Sequence, residues 1–267
     1  MSDPIANTQT KMEIAGCTHT GVRRPHNQDH IDFDEDLGIA VLADGMGGHQ
    51  AGEVASQMAV EFLMERLKDL LDQQTTGKIT DTHLLDPLTN TIHLLDSVSN
   101  TISECNTEIV RAAEARPEHK GMGTTVVTTL LSGSHLYIGH AGDSRLYLYR
   151  ERQFRRITKD HSLVENLIDR GFYSEREAKK APISNVVTRA LGISNEVEAD
   201  AFRIALEDND QILICSDGLT DMVDDWQISD SISDHKGDLA PLANYLVDLA
   251  NKHGGKDNIS VILMKYQ

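Results

Sequence analysis

The sequence predicts an α+β fold in one domain, and three observations predict it. Short apolar runs at 39–43, 126–131, 136–139, 211–215 and 259–264 are long enough for single strands and too short for core helices. Two longer stretches space their apolar residues as helices do: Val54, Met58, Phe62, Leu63, Leu67, Leu70 and Leu71 in the first, and Leu88, Ile92, Leu95, Val98, Ile102, Cys105 and Ile109 in the second. No repeat, low-complexity tract or shift in composition divides the 267 residues, a length that suits one large core.

Composition narrows the functional classes. With 42 acidic and 25 basic residues the formal charge is -17, which disfavours nucleic acid, because affinity for a phosphate backbone comes from clustered Lys and Arg. Cys17, Cys105 and Cys215 are odd in number, far apart and set in apolar contexts, so buried free thiols in a reducing compartment are expected rather than disulfides or zinc. No run is long enough to span a membrane, and residues 1–11 carry no apolar signal core. A disordered tail at 1–11 and a cytoplasmic location are the expectations. The match of Asn258-Ile259-Ser260 to a glycosylation sequon has no meaning without a secretory signal.

Taken in order, residues 12–17 open a strand that leads to a polar loop at 21–29, where Arg23 and Arg24 precede Asp29. The acidic run 32–36 has no buried strand before it and reads as a turn. The strand at 39–43 delivers Asp44 to its carboxyl end, and Gly45, Gly47 and Gly48 let backbone come close to whatever that carboxylate holds. A helix follows from about 52 to 73, then a polar connector at 73–81, then the second helix, whose histidines His83 and His93 are surface or packing residues. The stretch 121–125 opens the strand at 126–131, and a hairpin at Ser132-Gly133 returns through 136–139 to Asp143, with another strand at 146–149. A short helix begins near 158–162 and stops at Gly171, and Ser174 with Glu177 forms a capping box for a further one. The irregular segment from there to Gly192 has the character of a lid. After the strand ending at Asp217, helices near 225–232 and 239–253 precede Asp257 and the last strand.

Asp44, Asp143, Asp217 and Asp257 therefore each stand at the end of a strand-like run. Singly, an Asp-Gly after a strand is a hairpin turn, and Asp143 reads equally as a turn residue paired with Arg145. Brought together, bare carboxylates repel and take up protons, so a cluster of them needs cations. With no Cys-x-x-Cys or His-Glu-x-x-His, oxygen donors favour Mg²⁺ or Mn²⁺ over zinc. Two such ions lower the pKa of a shared water toward roughly 7. A phosphoester suits such a site, with Arg24 or Arg23 gripping its oxygens in a fork. No GxxxxGK[ST] loop is present, so nucleotide-driven phosphoryl transfer is not indicated.

Eight ordered segments, GVRRPHNQD, LADGMGGHQAGEVAS, GMGTT, GHAGDSRLYLY, TKDHS, NVVTRALG, CSDGLTD and GGKDNISVIL, resemble the bacterial branch of the PPM/PP2C metal-dependent protein Ser/Thr phosphatases. The resemblance covers about residues 12–265 and implies a four-layer αββα sandwich with two central antiparallel β-sheets. It also implies a phosphatase domain at 12–267 with a flap at about 163–187. By resemblance Asp44 bridges two Mg²⁺/Mn²⁺ ions, Gly45 adds a backbone carbonyl, and Asp217 and Asp257 complete the first metal. Asp29 is similar to the acidic residue of the first motif, Arg24 to the phosphate-binding arginine, and Asp143 to the ligand of a third, weaker metal shared with Asp217. The implied catalytic residues are Arg24, Asp44 and Asp217. The implied reaction is hydrolysis of phosphoserine and phosphothreonine by a water or hydroxide bridging the two ions. The implied protein is a monomer acting on substrates of a Ser/Thr kinase.

Two positions depart from the family pattern. Gln28 stands where many members have Glu, which removes a charge near the second metal, and Met46 stands where eukaryotic members carry a histidine proposed as general acid. His49 lies close in sequence, with a role in orienting its loop at least as fitting as one in proton transfer. A catalytically silent member that binds phosphoproteins as a regulatory module is the alternative reading, opposed by the intact Asp44, Asp217, Asp257 and Arg24. A phosphodiesterase acting on small molecules is a third.

Overall fold

The computed structural model describes residues 12–47, 51–75, 87–174, 177, 181–183, 185–235 and 238–267, with side chains omitted at 73–75 and 87–90. In chain order the strands are β1 (Met12–His19), β2 (Asp29–Asp34), β3 (Ile39–Met46), β4 (Gly123–Thr124), β5 (Val126–Ser132), β6 (His135–Ala141), β7 (Arg145–Arg150), β8 (Gln153–Arg156), β9 (Asp200–Ala205), β10 (Gln211–Cys215) and β11 (Ile259–Tyr266). The helices are α1 (Ala51–Thr75), α2 (Pro87–Ala115), α3 (Leu163–Asp169), α4 (Asp217–Thr220), α5 (Asp225–Asp234) and α6 (Leu239–Lys252). All described pairings are antiparallel. One sheet runs β1-β11-β10-β7-β8 and the other β2-β3-β5-β6-β9, with β4 beside β3.

The period-2 alternation of strands sorts the core into three slabs. In β3, Ile39, Val41 and Ala43 pack with Leu63, Leu67, Ile102 and Ile109 of α1 and α2, whereas Ala40 and Leu42 face the other sheet. In β10, Leu213 and Cys215 pack with Leu242 and Leu246 of α6, whereas Ile212 and Ile214 join Ala40 and Leu42 between the sheets. The result is a four-layer αββα sandwich. Its central strands are buried on both faces, so they read as unbroken apolar runs and not as alternating ones.

Several expectations need correction. The acidic run 32–36 is not simply a turn: β2 continues through Asp34, and the turn begins only at Glu35. As an outer strand its exposed face tolerates charge, which erases the apolar signal. The edge strands β8 and β9 were not foreseen for the same reason. On α2, Ile92 is exposed and Leu94 takes the core position. Cys105 and Cys215 are buried free thiols, but Cys17 is only half-buried, with its Sγ donating to Asn244. The capping box holds, since Ser174 donates from its N–H and its hydroxyl to Glu177, but the helix assigned to it lies outside the described residues, as do His49 and His83. Among the described residues no helix is long and apolar enough to cross a membrane.

Candidate metal centre and phosphate site

The chain builds its acidic site where strands of both sheets end. Asp29 opens β2 and lies directly opposite Asp44 of β3 in the antiparallel register. The Asp44 backbone is fixed from both sides: its N–H donates to Thr125 Oγ1 (3.1 Å), and its carbonyl accepts from the Thr125 N–H (2.9 Å) and Thr124 Oγ1 (2.9 Å). Gly45 admits no side chain, since a Cβ there would lie 2.2 Å from the Gly52 carbonyl oxygen and 2.5 Å from that of Gln28. The strand exit is thereby pressed against the start of α1 and the arginine loop.

The second sheet contributes Asp217 at the head of α4 and Asp257 in the turn before β11. Ser216, fully buried, joins the two sheets: its hydroxyl donates to Asp29 Oδ2 (2.9 Å) and accepts from the Ser260 N–H (3.0 Å). Asn258 holds the loop carrying Arg24. Its Oδ1 accepts from the Gln28 N–H (2.8 Å), and its Nδ2 donates to the carbonyls of Thr20 (2.9 Å) and His26 (2.8 Å). That loop places Arg24 Nη2 2.6 Å from Asp257 Oδ2. Arg23 makes no ion pair among the described residues and does not line the groove that opens from the site, whereas Arg24 does.

Asp143 follows β6 on a turn where Gly142 has φ +126°, a conformation that favours glycine. The expected pairing of Asp143 with Arg145 does not form. Arg145 instead forks Asp160, with Nε–O distances of 2.9 and 3.1 Å and Nη2–Oδ2 of 2.6 Å. Among the described residues Asp143 thus has no bonded cation, and its charge acts on Asp44 and Asp217.

Electrostatics bind the five carboxylates into one unit. Burial holds Asp44 well above the usual carboxylate range, and the charges of Asp29, Asp217, Asp143 and Asp257 add to it. Asp217 is raised likewise by burial, then by Asp143, Asp221, Asp257 and Asp29. Burial lifts Asp29 to about 6 against hydrogen bonds from Ser260, Ser216 and Asp44, and lifts Asp143 to about 6 with help from Asp160. Asp29 Oδ1 and Asp217 Oδ1 are buried and have no hydrogen-bond partner. Partnerless acceptor-only oxygens among like charges are what a hard divalent cation satisfies, so the residues present fit Mg²⁺ or Mn²⁺.

A second titratable cluster, His140, His161 and Asp200, brings its nitrogen and oxygen atoms within 4.8 Å of one another. It is a poor metal cup. The Gly142 N–H donates to His161 Nδ1 (3.1 Å), so the ring proton sits on Nε2, which faces Asp200 Oδ2 at 3.2 Å. Arg189 Nη1 already occupies Asp200 Oδ1 at 3.2 Å. Burial pushes both histidines down, His140 to about 4, so they are neutral at neutral pH. The cluster buttresses the turn that carries Asp143. Ser216, Thr125, Asn258 and His161 were not singled out from sequence. All four lie inside the quoted segments, but their chemistry is indistinct without their partners.

An oxygen-rich carboxylate cluster at one rim of an αββα sandwich, with an arginine at its mouth, defines a metal-dependent phosphohydrolase. A family profile described as Protein phosphatase 2C matches residues 16–263, and the chain belongs to that family as a serine/threonine phosphatase. It is 38% identical over 251 residues, 93% of each chain, to the serine/threonine phosphatase stp of Listeria monocytogenes. It is 34% identical over 256 residues to the protein phosphatase PhpP of Streptococcus pneumoniae, covering 95% of this chain and 97% of that one. The Mycobacterium tuberculosis phosphatase PstP superimposes with a TM-score of 0.82 at 32% identity, over 96% of this chain and 98% of that one. The PstP catalytic domain solved with two manganese ions gives 0.81 at 32% identity, over 96% and 99%.

Proposed function

We propose that this chain removes phosphate from phosphoserine and phosphothreonine in substrates of a Ser/Thr kinase, acting as a cytoplasmic monomer with Mn²⁺ or Mg²⁺ as cofactor. Asp44, the Gly45 carbonyl, Asp217, Asp257 and Asp29 would hold the two ions, and Asp143 with Asp217 would hold a third. The observation that supports this assignment is that Asp29 Oδ1 and Asp217 Oδ1 are buried with no hydrogen-bond partner among the described residues, beside aspartates whose charges raise Asp44 and Asp217.

When bound, the cations supply Lewis acidity, activating water for attack on phosphorus and offsetting the charge of the phosphoryl oxygens. The chain's own residues do the rest. Arg24 holds the phosphoryl group at the mouth by a bidentate, charge-assisted contact. Ser216 keeps Asp29 turned inward, and Thr124 and Thr125 fix the Asp44 backbone, so the carboxylates need little rearrangement on loading. The Gln28 backbone accepts from Gly45 and Ser56 and donates to Asn258. Met46 has no proton to give, so the proton for the leaving serine or threonine oxygen comes from water or from another group.

Turnover of p-nitrophenyl phosphate and of a phosphothreonine peptide should vanish in EDTA and return with Mn²⁺ or Mg²⁺. Activity surviving exhaustive chelation would remove the cations from the reaction.

A further inference from the structure

A groove of about 1160 Å³ leads away from the acidic cluster. Arg24, Asp143, Asp217 and Asp257 line one end; from there it runs between α3, which contributes Val164 and Ile168, and the turn joining α4 to α5. This exceeds the roughly 300–1,000 Å³ of a typical small-molecule site, and a single phosphorylated side chain leaves most of it unfilled. Trp226, the only tryptophan of the chain, stands on its wall in the first turn of α5 and is 64% exposed. Exposed aromatic rings beside a cleft are characteristic contact residues for a partner chain.

Asp221 and Asp225 line the same groove as Trp226. Arg145 and Arg156, the cations of this part of the wall, are already bound to Asp160 and Glu165. Lys256 lies at the catalytic end, next to Asp257. Asp221 and Asp225 have no ion-pair partner among the described residues, and Asp225 Oδ1 is engaged only by the Tyr147 hydroxyl at 3.3 Å. A groove wall that carries both an exposed indole and carboxylates attracts a guanidinium or ammonium through the ring quadrupole and by ion pairing. The net charge of -17 favours approach of the same partner.

We infer that this groove binds the polypeptide flanking the phosphoresidue and selects sequences in which a nearby arginine or lysine lies on the Trp226 ring beside Asp225 and Asp221. The assignment rests on the phosphatase reading above and names its substrate class: phosphoproteins with basic flanks.

The test compares two phosphothreonine peptides, identical except for Arg or Glu within about four residues of the phosphothreonine, a reach set by ~3.3–3.6 Å per extended residue. With the Mn²⁺-loaded chain, kcat/KM for the Arg peptide should exceed that for the Glu peptide about tenfold. The ratio should fall below about threefold in Trp226→Ala and in Asp225→Asn, and Trp226→Phe, which keeps a ring face, should retain most of it. Asp225→Asn preserves an acceptor for Tyr147, and melting curves of each variant report whether the fold is kept. A ratio near one in the unaltered chain, or one unmoved by both Trp226→Ala and Asp225→Asn, overturns the groove assignment. Turnover of p-nitrophenyl phosphate by the unaltered chain separates the two failures: if present, only the groove reading falls, and if absent with Mn²⁺, the phosphatase reading falls with it.

Discussion

Asp29 and Asp44 are directly opposed across β2 and β3, and after burial the charge of Asp29 is the largest influence holding the Asp44 carboxyl above its ordinary range. Like charges directly opposite on a ladder destabilise a sheet, so this pair is an electrostatic load that binding a cation removes.

The load has a pH signature. Asp29 is raised from 3.8 to about 6, so the folded state binds more protons than the unfolded one between those values. Its stabilising protonation is complete below the unfolded pKa and is lost as pH rises through about 6. Asp29→Asn, which keeps an acceptor for Ser216, should therefore raise the melting temperature in EDTA at pH 7.5. The gain should be ~5–10 °C, corresponding to ~3 kcal/mol, and should nearly vanish at pH 4. Melting curves of both proteins across that range provide the check, and a gain independent of pH contradicts the burial argument.

Arg24 and Asp257 form an ion pair that a bound cation must compete with, since it uses the same carboxylate. Arg24→Ala should lower kcat/KM on phosphosubstrate by ~2–4 kcal/mol while leaving Mn²⁺ affinity unchanged or tighter. Calorimetry showing the ions lost together with the arginine contradicts this, and so does a larger kinetic loss in Arg23→Ala.

Asp143 has no bonded cation, because Arg145 is committed to Asp160. Asp143→Ala should keep the fold and two tightly bound ions but lose most turnover on a phosphopeptide. A folded variant with near-normal turnover at saturating Mn²⁺ would leave Asp143 as a turn residue.

His161 grips the preceding residue of that turn, accepting from the Gly142 N–H at Nδ1 and donating its own N–H to the Gly142 carbonyl (2.7 Å). His161→Ala should act through Asp143, raising the Mn²⁺ concentration needed for half-maximal turnover. His161→Asn, whose carbonyl oxygen replaces the Nδ1 acceptor, should recover part of it. Loss of thermal stability in His161→Ala with an unaltered Mn²⁺ dependence indicates packing alone.

Much of this architecture was legible because the central strands are buried on both faces. The run Ile39–Met46 announces itself by unbroken aliphatic residues, and the aspartate that interrupts it marks the strand's functional end. At the periphery that logic fails. β2 carries Asp29, Asp32 and Asp34, and β8 reads Gln-Phe-Arg-Arg, because outer strands need only one apolar face. The ligand candidates were readable because four aspartates far apart in the sequence each stand at the end of a strand-like run. Their supports were not: Ser216 and Asn258 do their work across contacts 187 and 230 residues apart in sequence.

Asn258 ties together segments made at opposite times during synthesis, since its amide holds Thr20, His26 and Gln28 near the start of the chain. Its strand, β11, lies between β1 and β10, in the middle of its sheet. A nascent chain that has emerged through Asp217 carries Arg24 and four of the five acidic residues, yet has neither Asp257 nor the strand that seats β1. A chain ended before β11 should therefore be inert, since it lacks both Asp257 and the strand between β1 and β10.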